Sequence, residues 1–263
     1  MPSIGAAPAP ALVAKAAALL RDARRVLVVT GAGISADAGL PTYRGVGGLY
    51  DGVHTEDGLP IEEVLSGPFF EARPELTWKY LRQIERVARG ATPSAGHRIL
   101  AAMQDAFDEV MVLTQNVDGL HRLAGSRDLI DIHGDFERLY CTGCDWNEVV
   151  KDYSHLADLP RCASCGAVIR PDVVLFGEML PLGKVERLEA AQARGFDVVF
   201  SIGTSSLFPY IVAPVLIARR QGRATIEINP EETDISTVVD LRFRTTASAA
   251  LGAIWDAFRE SGR

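Results

Sequence analysis

Arg25-Val-Leu-Val-Val-Thr-Gly-Ala-Gly-Ile-Ser-Ala36 decides the fold. From Arg25 to Thr30 an apolar run rich in β-branched residues predicts a strand buried on both faces, as in a parallel sheet. It runs directly into Gly31 and Gly33, and Ser35 opens a helix-like segment. Gly31, Gly33 and Ala36 satisfy G-x-G-x-x-G/A, the dinucleotide fingerprint. Bare glycines let backbone N–H groups approach a pyrophosphate, and a helix N-terminus adds a favourable dipole. A tight strand-to-helix turn with no ligand would carry the same residues. A dehydrogenase would continue into a second strand ending in Asp or Glu about 20 residues on. Here Pro41-Thr-Tyr-Arg-Gly45 and Val46-Gly-Gly-Leu-Tyr50 follow, and no strand precedes Asp51. The loop fits a dinucleotide, but its continuation argues against hydride transfer.

Outward from this stretch, strands and helices alternate. Ala11–Ala23 reads as an opening helix. Gly45 to Gly67 is glycine-rich and aperiodic, which predicts a long loop, of the kind that is either functional or disordered. Pro68–Gly90 reads as helical, Ser94 caps a helix to about Phe107, and Glu109–Thr114 is a second buried strand. Further strands are expected at Leu129–Ile132, Val173–Leu175, Asp197–Ile202, Ala224–Ile228 and Val238–Phe243. Helices are expected near Gly183–Arg194, Pro209–Arg220 and Ala247–Arg259. The alternation predicts an α/β fold, a Rossmann-like doubly wound parallel sheet. At 263 residues the chain can hold one large or two small domains. Its 48% hydrophobic and 23% charged content is that of a soluble globular protein. The net charge of −7 argues against nucleic-acid binding, and no apolar run is long enough to span a membrane. Met1–Pro10 lacks a basic start and an apolar core, so a disordered tail and a cytoplasmic location are expected.

All four cysteines fall between Cys141 and Cys165. Cys141-Thr-Gly-Cys144 and Cys162-Ala-Ser-Cys165 are separated by 17 residues, the spacing of a tetrahedral zinc site. Four thiolates fill the coordination sphere and leave no place for water, so the zinc is expected to be structural. A redox dithiol or an iron–sulfur cluster are the alternatives. Four polar elements end strands: Thr30 to Ser35, Gln115 to Asp118, Gly203 to Ser206, and Asn229. A doubly wound sheet brings all four to its C-terminal edge. Taken singly, Ser35 and Asp118 read equally as helix caps and Asn229 as a turn residue. Of the five histidines only His133 sits at a strand end before a glycine, where an imidazole near neutral pKa suits proton abstraction from a hydroxyl. His54, His97, His121 and His155 read as structural.

These residues together resemble the sirtuin family, the NAD-dependent protein lysine deacylases. The motifs are Gly31-Ala-Gly-Ile-Ser35 with Pro41-Thr-Tyr-Arg44, Thr114-Gln-Asn-Val-Asp118, Ile132-His-Gly134 and the two cysteine pairs. Arg170-Pro-Asp-Val-Val-Leu-Phe-Gly-Glu178, Gly203-Thr-Ser205 and Ile228-Asn-Pro230 complete them, in family order over about residues 25 to 250. The resemblance implies a Rossmann-type domain (1–45, 97–138 and 171–263). A small domain would combine a helical insertion (46–96) with a zinc module (139–170). It implies NAD as consumed cosubstrate, one structural Zn2+ and acyl-lysine proteins or peptides as substrates. The acyl oxygen would attack the ribose carbon bearing nicotinamide, and His133 would then act as base on the ribose hydroxyls. Asn116 is implied as its catalytic companion.

The same resemblance assigns cofactor contacts to Gly31, Ala32, Gly33, Ser35, Tyr43, Arg44, Gln115, Asn116, Asp118, Gly203, Thr204, Ser205, Asn229 and Ala247. Val174, Leu175, Phe176, Gly177 and Glu178 would hold the peptide by β-augmentation. Three positions depart from the family pattern. Tyr43 stands where many members have Phe, and Leu175 where many bacterial members have Trp. Desuccinylating members carry Tyr-x-x-Arg in the helical insertion, where this chain has Trp78-Lys-Tyr-Leu-Arg82, so acetyl or a longer apolar acyl group is expected. Mono-ADP-ribosyl transfer is the rival within the family, and a zinc-ribbon binding module the rival outside it.

Overall fold

The computed structural model describes residues 7–42 and 55–260. Tyr43, Arg44 and most of the expected glycine-rich loop lie outside the described residues, as does the start of the N-terminal tail. In chain order the first elements are α1 (Pro10–Asp22), β1 (Arg25–Thr30), α2 (Ala32–Ala36), α3 (Ile61–Val64), α4 (Gly67–Ala72) and α5 (Pro74–Ala88). They are followed by α6 (Ala95–Met103), β2 (Glu109–Thr114), α7 (Leu120–Leu123), β3 (Leu129–Asp131), β4 (Gly134–Cys141) and β5 (Asn147–Val149). The chain continues through β6 (Ile169–Val173), α8 (Leu182–Ala193), β7 (Val198–Ile202), α9 (Pro209–Arg220), β8 (Ala224–Ile228), β9 (Leu241–Phe243) and α10 (Ala247–Glu260).

Six strands form one parallel sheet in the order β3-β2-β1-β7-β8-β9. β1 lies at its centre, with Val28 opposite Val112 on one side and Phe200 on the other. That position explains why the strand is apolar without alternation: both faces are covered. Val26 and Val28 enter a core with Leu20, Met103, Phe200, Ile226 and Ile254. Leu27 and Val29 enter the opposite core with Leu113, Val199, Leu188 and Val215. Strand order reverses between β1 and β7, so the loops after these two strands face each other at the crevice where doubly wound sheets bind ligands.

Two expectations need correction. Val173–Leu175 does not join the parallel sheet. The strand is Ile169–Val173, and it pairs antiparallel with β4 in a separate three-stranded sheet ordered β5-β4-β6. The chain returns from the cysteine segment alongside the strand that led into it, and a hairpin-like return makes an antiparallel neighbour. The helix expected over Pro68–Gly90 is two helices. Arg73 (φ −142°, ψ 62°) breaks it, because a residue before proline is pushed out of the helical region. Pro74 then starts α5, where its missing N–H costs nothing.

A third core joins the helical insertion to the cysteine segment. Trp78, Leu81, Phe70 and Val64 pack with Tyr153, Cys162, Ile169 and Leu139. The Trp78 Nε1–H donates to the Ile169 carbonyl at 2.9 Å, and the Tyr153 hydroxyl donates to the Phe136 carbonyl at 2.6 Å. Each large ring thus buries its apolar body and still satisfies its polar end.

His97 and His121 are structural, as expected. Both are buried, with ring centroids 4.6 Å apart. His97 Nδ1 accepts from the Ser94 N–H at 3.2 Å, closing a capping box, and His121 Nε2 lies 2.9 Å from Thr30 Oγ1. Burial holds His97 at about 4 and His121 well below the usual range, so both rings are neutral in the fold. An unfolded histidine protonates near 6.5. Between the two values the unfolded chain binds more protons, so stability falls as pH falls. From pH 7 to 5 His97 alone should remove about 2 kcal/mol, and urea denaturation of His97→Asn should show that part of the slope gone. An identical pH dependence in the variant would assign the proton uptake to other groups.

Candidate active site

The site begins where β1 ends. The Gly31 N–H donates to the Ile202 carbonyl at 3.1 Å, and the Gly33 N–H donates to the Gly203 carbonyl at 2.8 Å. These two N–H groups were expected to face a pyrophosphate. They bind the neighbouring loop instead, and the glycines are required for a different reason. A Cβ on Gly33 would lie 2.5 Å from Gly203 Cα, and one on Gly31 would lie 2.8 Å from the Gly203 carbonyl oxygen. Gly203 itself has φ 57°, so the two loops meet backbone to backbone. Ala32 and Ser35 lie on the short helix α2 that starts at this contact.

Asn116 and Asp118 follow β2 on the same edge. Asn116 is buried, and its Nδ2 donates to the Gly31 carbonyl at 3.0 Å and to Ser35 Oγ at 3.1 Å. The Ser35 hydroxyl donates in turn to Asp118 Oδ2 at 2.6 Å, and Asp118 Oδ1 accepts from the Leu120 N–H at 3.0 Å. Burial pushes the Asp118 carboxyl up, opposed by the Ser35 and Leu120 donors. Ser35, Asn116 and Asp118 therefore form one fixed polar wall. It borders a cleft lined also by Ala32, Leu40, Pro41, Ile84, Val87, Ala88 and Phe136. The apolar lining from α5 and β4 escaped the sequence reading, because nothing in a helix's periodicity says which of its apolar positions faces a ligand.

His133 sits just after β3. Its Nδ1 is 3.0 Å from the Gln115 carbonyl. A carbonyl can only accept, so Nδ1 carries the proton and Nε2 presents the lone pair. Burial holds this imidazole below its usual pKa, against the Gln115 carbonyl, which favours the charged form. The result is a neutral ring with a fixed tautomer. Nε2 meets the Tyr210 hydroxyl at 2.6 Å, a partner the sequence reading missed.

The expected adenosine contacts gather around Thr204. Its Oγ1 accepts from Gln115 Nε2 at 2.8 Å and from the Ser206 N–H at 3.2 Å, and its carbonyl accepts from Asn229 Nδ2 at 3.0 Å. Ser205 is exposed beside it, and Ser206 adopts φ 57° with a buried hydroxyl that has no partner among the described residues. Ala247 starts α10 and is buried in the core, next to a Ser248 N–H that donates to Asp37 Oδ2 at 2.6 Å.

The segment expected to hold a peptide is already tied to the helical insertion. The Phe176 N–H donates to the Leu65 carbonyl at 2.9 Å, and its carbonyl accepts from the Gly67 N–H at 3.0 Å. The Leu175 N–H donates to Glu178 Oε2 at 2.8 Å, and Arg170 pairs with Glu178 at 2.6 Å. Val174 N–H donates to the His133 carbonyl at 2.8 Å, coupling this segment to the histidine, and Gly177 (φ 81°) turns the chain away. Arg82 points elsewhere: its guanidinium donates to the carbonyls of Tyr153, Leu156 and Ala157 and lies over the Trp78 ring at 5.2 Å.

The four cysteines converge. Their sulfurs all lie within 4.8 Å of one another. The pairs Cys141–Cys165 and Cys144–Cys162 are 3.3 and 3.6 Å apart. Zn–S bonds of about 2.3 Å in a tetrahedron place sulfurs about 3.8 Å apart, so the set fits a closed structural zinc site. Among the described residues, no histidine or carboxylate joins the group. Elemental analysis should find one zinc per chain. Cys162→Ala should lose it and melt at lower temperature, since Cys162 also packs in the core with Trp78. A zinc-loaded variant of unchanged stability would contradict the four-thiolate site.

Comparison with known proteins agrees with this geometry. The Sir2 family profile matches residues 31–209, the span from the glycine loop to the start of α9. The "NAD-dependent protein deacylase 2" of Pseudomonas aeruginosa is 50% identical over 233 residues, covering 88% of this chain and 91% of its own length. A solved complex of a Sir2 homologue with NAD is 32% identical, with a TM-score of 0.84 over 98% of this chain and 97% of that one. A Sir2 complex with a deacetylated p53 peptide and 3′-O-acetyl-ADP-ribose is 28% identical, with a TM-score of 0.82 over 94% of this chain and 97% of that one. The matched span takes in the glycine loop, the Asn116–Asp118 wall, His133 and the four-cysteine centre, and the chain belongs to the Sir2 family.

Proposed function

We propose that this protein is an NAD-dependent protein lysine deacylase that frees lysine while transferring the acyl group to ADP-ribose. The observation that carries the reading is the neutral imidazole of His133, with its proton fixed on Nδ1 by the Gln115 carbonyl. NAD supplies a ribose carbon from which the acyl oxygen of the substrate displaces nicotinamide; one water is then consumed as the acyl carbon is released from lysine, and the products are nicotinamide, lysine and O-acyl-ADP-ribose. His133 Nε2 is the group placed to take a proton from a ribose hydroxyl, and lowering of its pKa by burial keeps it unprotonated at neutral pH.

Ser35, Asn116 and Asp118 would bind the ribose and the nicotinamide amide. Their mutual hydrogen bonds hold them in place before the ligand arrives, which spares the reorganisation a loose site would need. Thr204, Ser205 and Asn229 would bind the adenosine half, with Gln115 linking the two through its bond to Thr204. The apolar cleft wall of Ile84, Val87 and Phe136 would exclude water, which protects the acyl transfer from simple hydrolysis of NAD. Tyr43 would shield the reactive face of the sugar, and Arg44 would orient the phosphates.

The two insertions (46–96 and 139–170) are read as one small domain, supported by the core they share around Trp78. Zinc would hold that unit without touching the reaction. The substrate is an acyl-lysine peptide beside Val174–Glu178. Because the Phe176 backbone is already paired with Leu65 and Gly67, pairing with a peptide would have to use the rest of this segment. Acetyl or apolar acyl groups are favoured over succinyl, since Arg82 is committed to three carbonyls and the insertion offers no Tyr-x-x-Arg.

Incubation with NAD and an acetyl-lysine peptide should yield nicotinamide and O-acetyl-ADP-ribose, followed by mass. His133→Ala should lower turnover by about 10²–10⁴-fold while leaving the melting temperature close to wild type. ADP-ribosylated protein without deacetylation would favour transfer to another acceptor, and NADH would sink the reading. A succinyl peptide should turn over more slowly than the acetyl one. Equal rates would show that a carboxylate is recognised by another residue.

A further inference from the structure

Tyr210 lies beside the proposed base, and nothing in the deacylase reading gives it a task. It follows Pro209 at the start of α9, immediately beyond the β7 loop that carries Thr204 and Ser206. Its ring stacks on Phe208 at 5.5 Å and 15°, and Phe208 meets the His133 ring edge-on at 6.0 Å and 87°. Two aromatic rings thus fix where the phenol points. Its oxygen is 2.6 Å from His133 Nε2. Since the Gln115 carbonyl requires the His133 proton to be on Nδ1, the phenol must donate and Nε2 must accept. The phenol therefore occupies the one lone pair that a base at this position uses.

We propose that Tyr210 is a positioning residue that holds the His133 lone pair in the NAD-free protein and gives it up to a ribose hydroxyl when the cosubstrate enters. This inference rests on the deacylase reading for its second half only. A half-buried imidazole acceptor left without a partner is costly, and the ring would be free to turn away from the cleft. The phenol supplies that partner and leaves by a side-chain rotation once a better-placed hydroxyl donates in its stead. Burial and the charge of Lys184, itself paired with Asp131 at 2.7 Å, keep that imidazole neutral against the Gln115 carbonyl, so Nε2 stays an acceptor for the phenol. The phenol of Tyr210 is held protonated by burial, which moves its pKa up to about 12.

Tyr210→Phe keeps the stack with Phe208 and removes only the donor. Imidazole nitrogen NMR of labelled, NAD-free protein at neutral pH should show the unprotonated Nε2 resonance of His133 shift toward that of an acceptor without a partner. Calorimetry with ADP-ribose should show the variant binding no more weakly than wild type, since no phenol has to be displaced. An unchanged Nε2 resonance in Y210F would overturn the proposal, as would weakened ADP-ribose binding. The NMR measurement needs no turnover. If the resonance shifts as expected in a protein that never consumes NAD, the hold on His133 stands and the deacylase reading fails.

Discussion

The contact between Gly33 and Gly203, an N–H···O=C bond of 2.8 Å between two loops with no side chains at the junction, is the constraint on which the site depends. It joins the ends of β1 and β7 where the strand order reverses. Because the backbones touch, Asn116 can reach across to the Gly31 carbonyl, Ser35 can reach Asp118, and Gln115 can reach Thr204. Each of these bonds spans loops from different strands. An added methyl group at Gly33 would drive the loops apart and break the alignment of all of them at once. The fingerprint glycines thus build the ligand crevice by packing, and only through that packing do they affect what the crevice binds.

The strands of the parallel sheet were legible because β1 and β2 are buried on both faces and read as unbroken apolar runs. The four-cysteine centre was legible because metal geometry fixes ligand spacing. Asn116, Asp118, Ser35, Thr204 and His133 were legible because they end strands that the fold must bring to one edge. What escaped was set by contacts distant in sequence. The strand at Ile169–Val173 pairs with β4 only because the cysteine segment folds back, and Pro171 within it gives no strand signal. The break at Arg73 was signalled by Pro74 and overlooked. Tyr210 stood next to a recognised loop, but its bearing on His133 depends on how α9 is set against β3, which no local pattern encodes.

The two insertions give the cleft its second wall. Trp78 and Tyr153 bind them together at 5.4 Å, edge to face, with the Trp78 indole donating to the backbone of β6. Through α5 the same unit presents Ile84, Val87 and Ala88 to the cleft. Arg82, on the same helix, fastens the loop at Tyr153–Ala157, so a residue that might have read a charged acyl group acts as a structural brace. Among the described residues, none of the four cysteines lines the cleft, in keeping with a structural and not a catalytic metal site.

In the proposed reaction the acyl oxygen itself attacks the ribose and His133 then drives the transfer, with no hydrolytic release of acetate from lysine. A peptide whose acetyl carbonyl carries ¹⁸O tests this directly. With NAD and short reaction times, mass spectrometry should find the label in O-acetyl-ADP-ribose and none in free acetate. Labelled free acetate as the first product, with unlabelled ADP-ribose, would contradict the account.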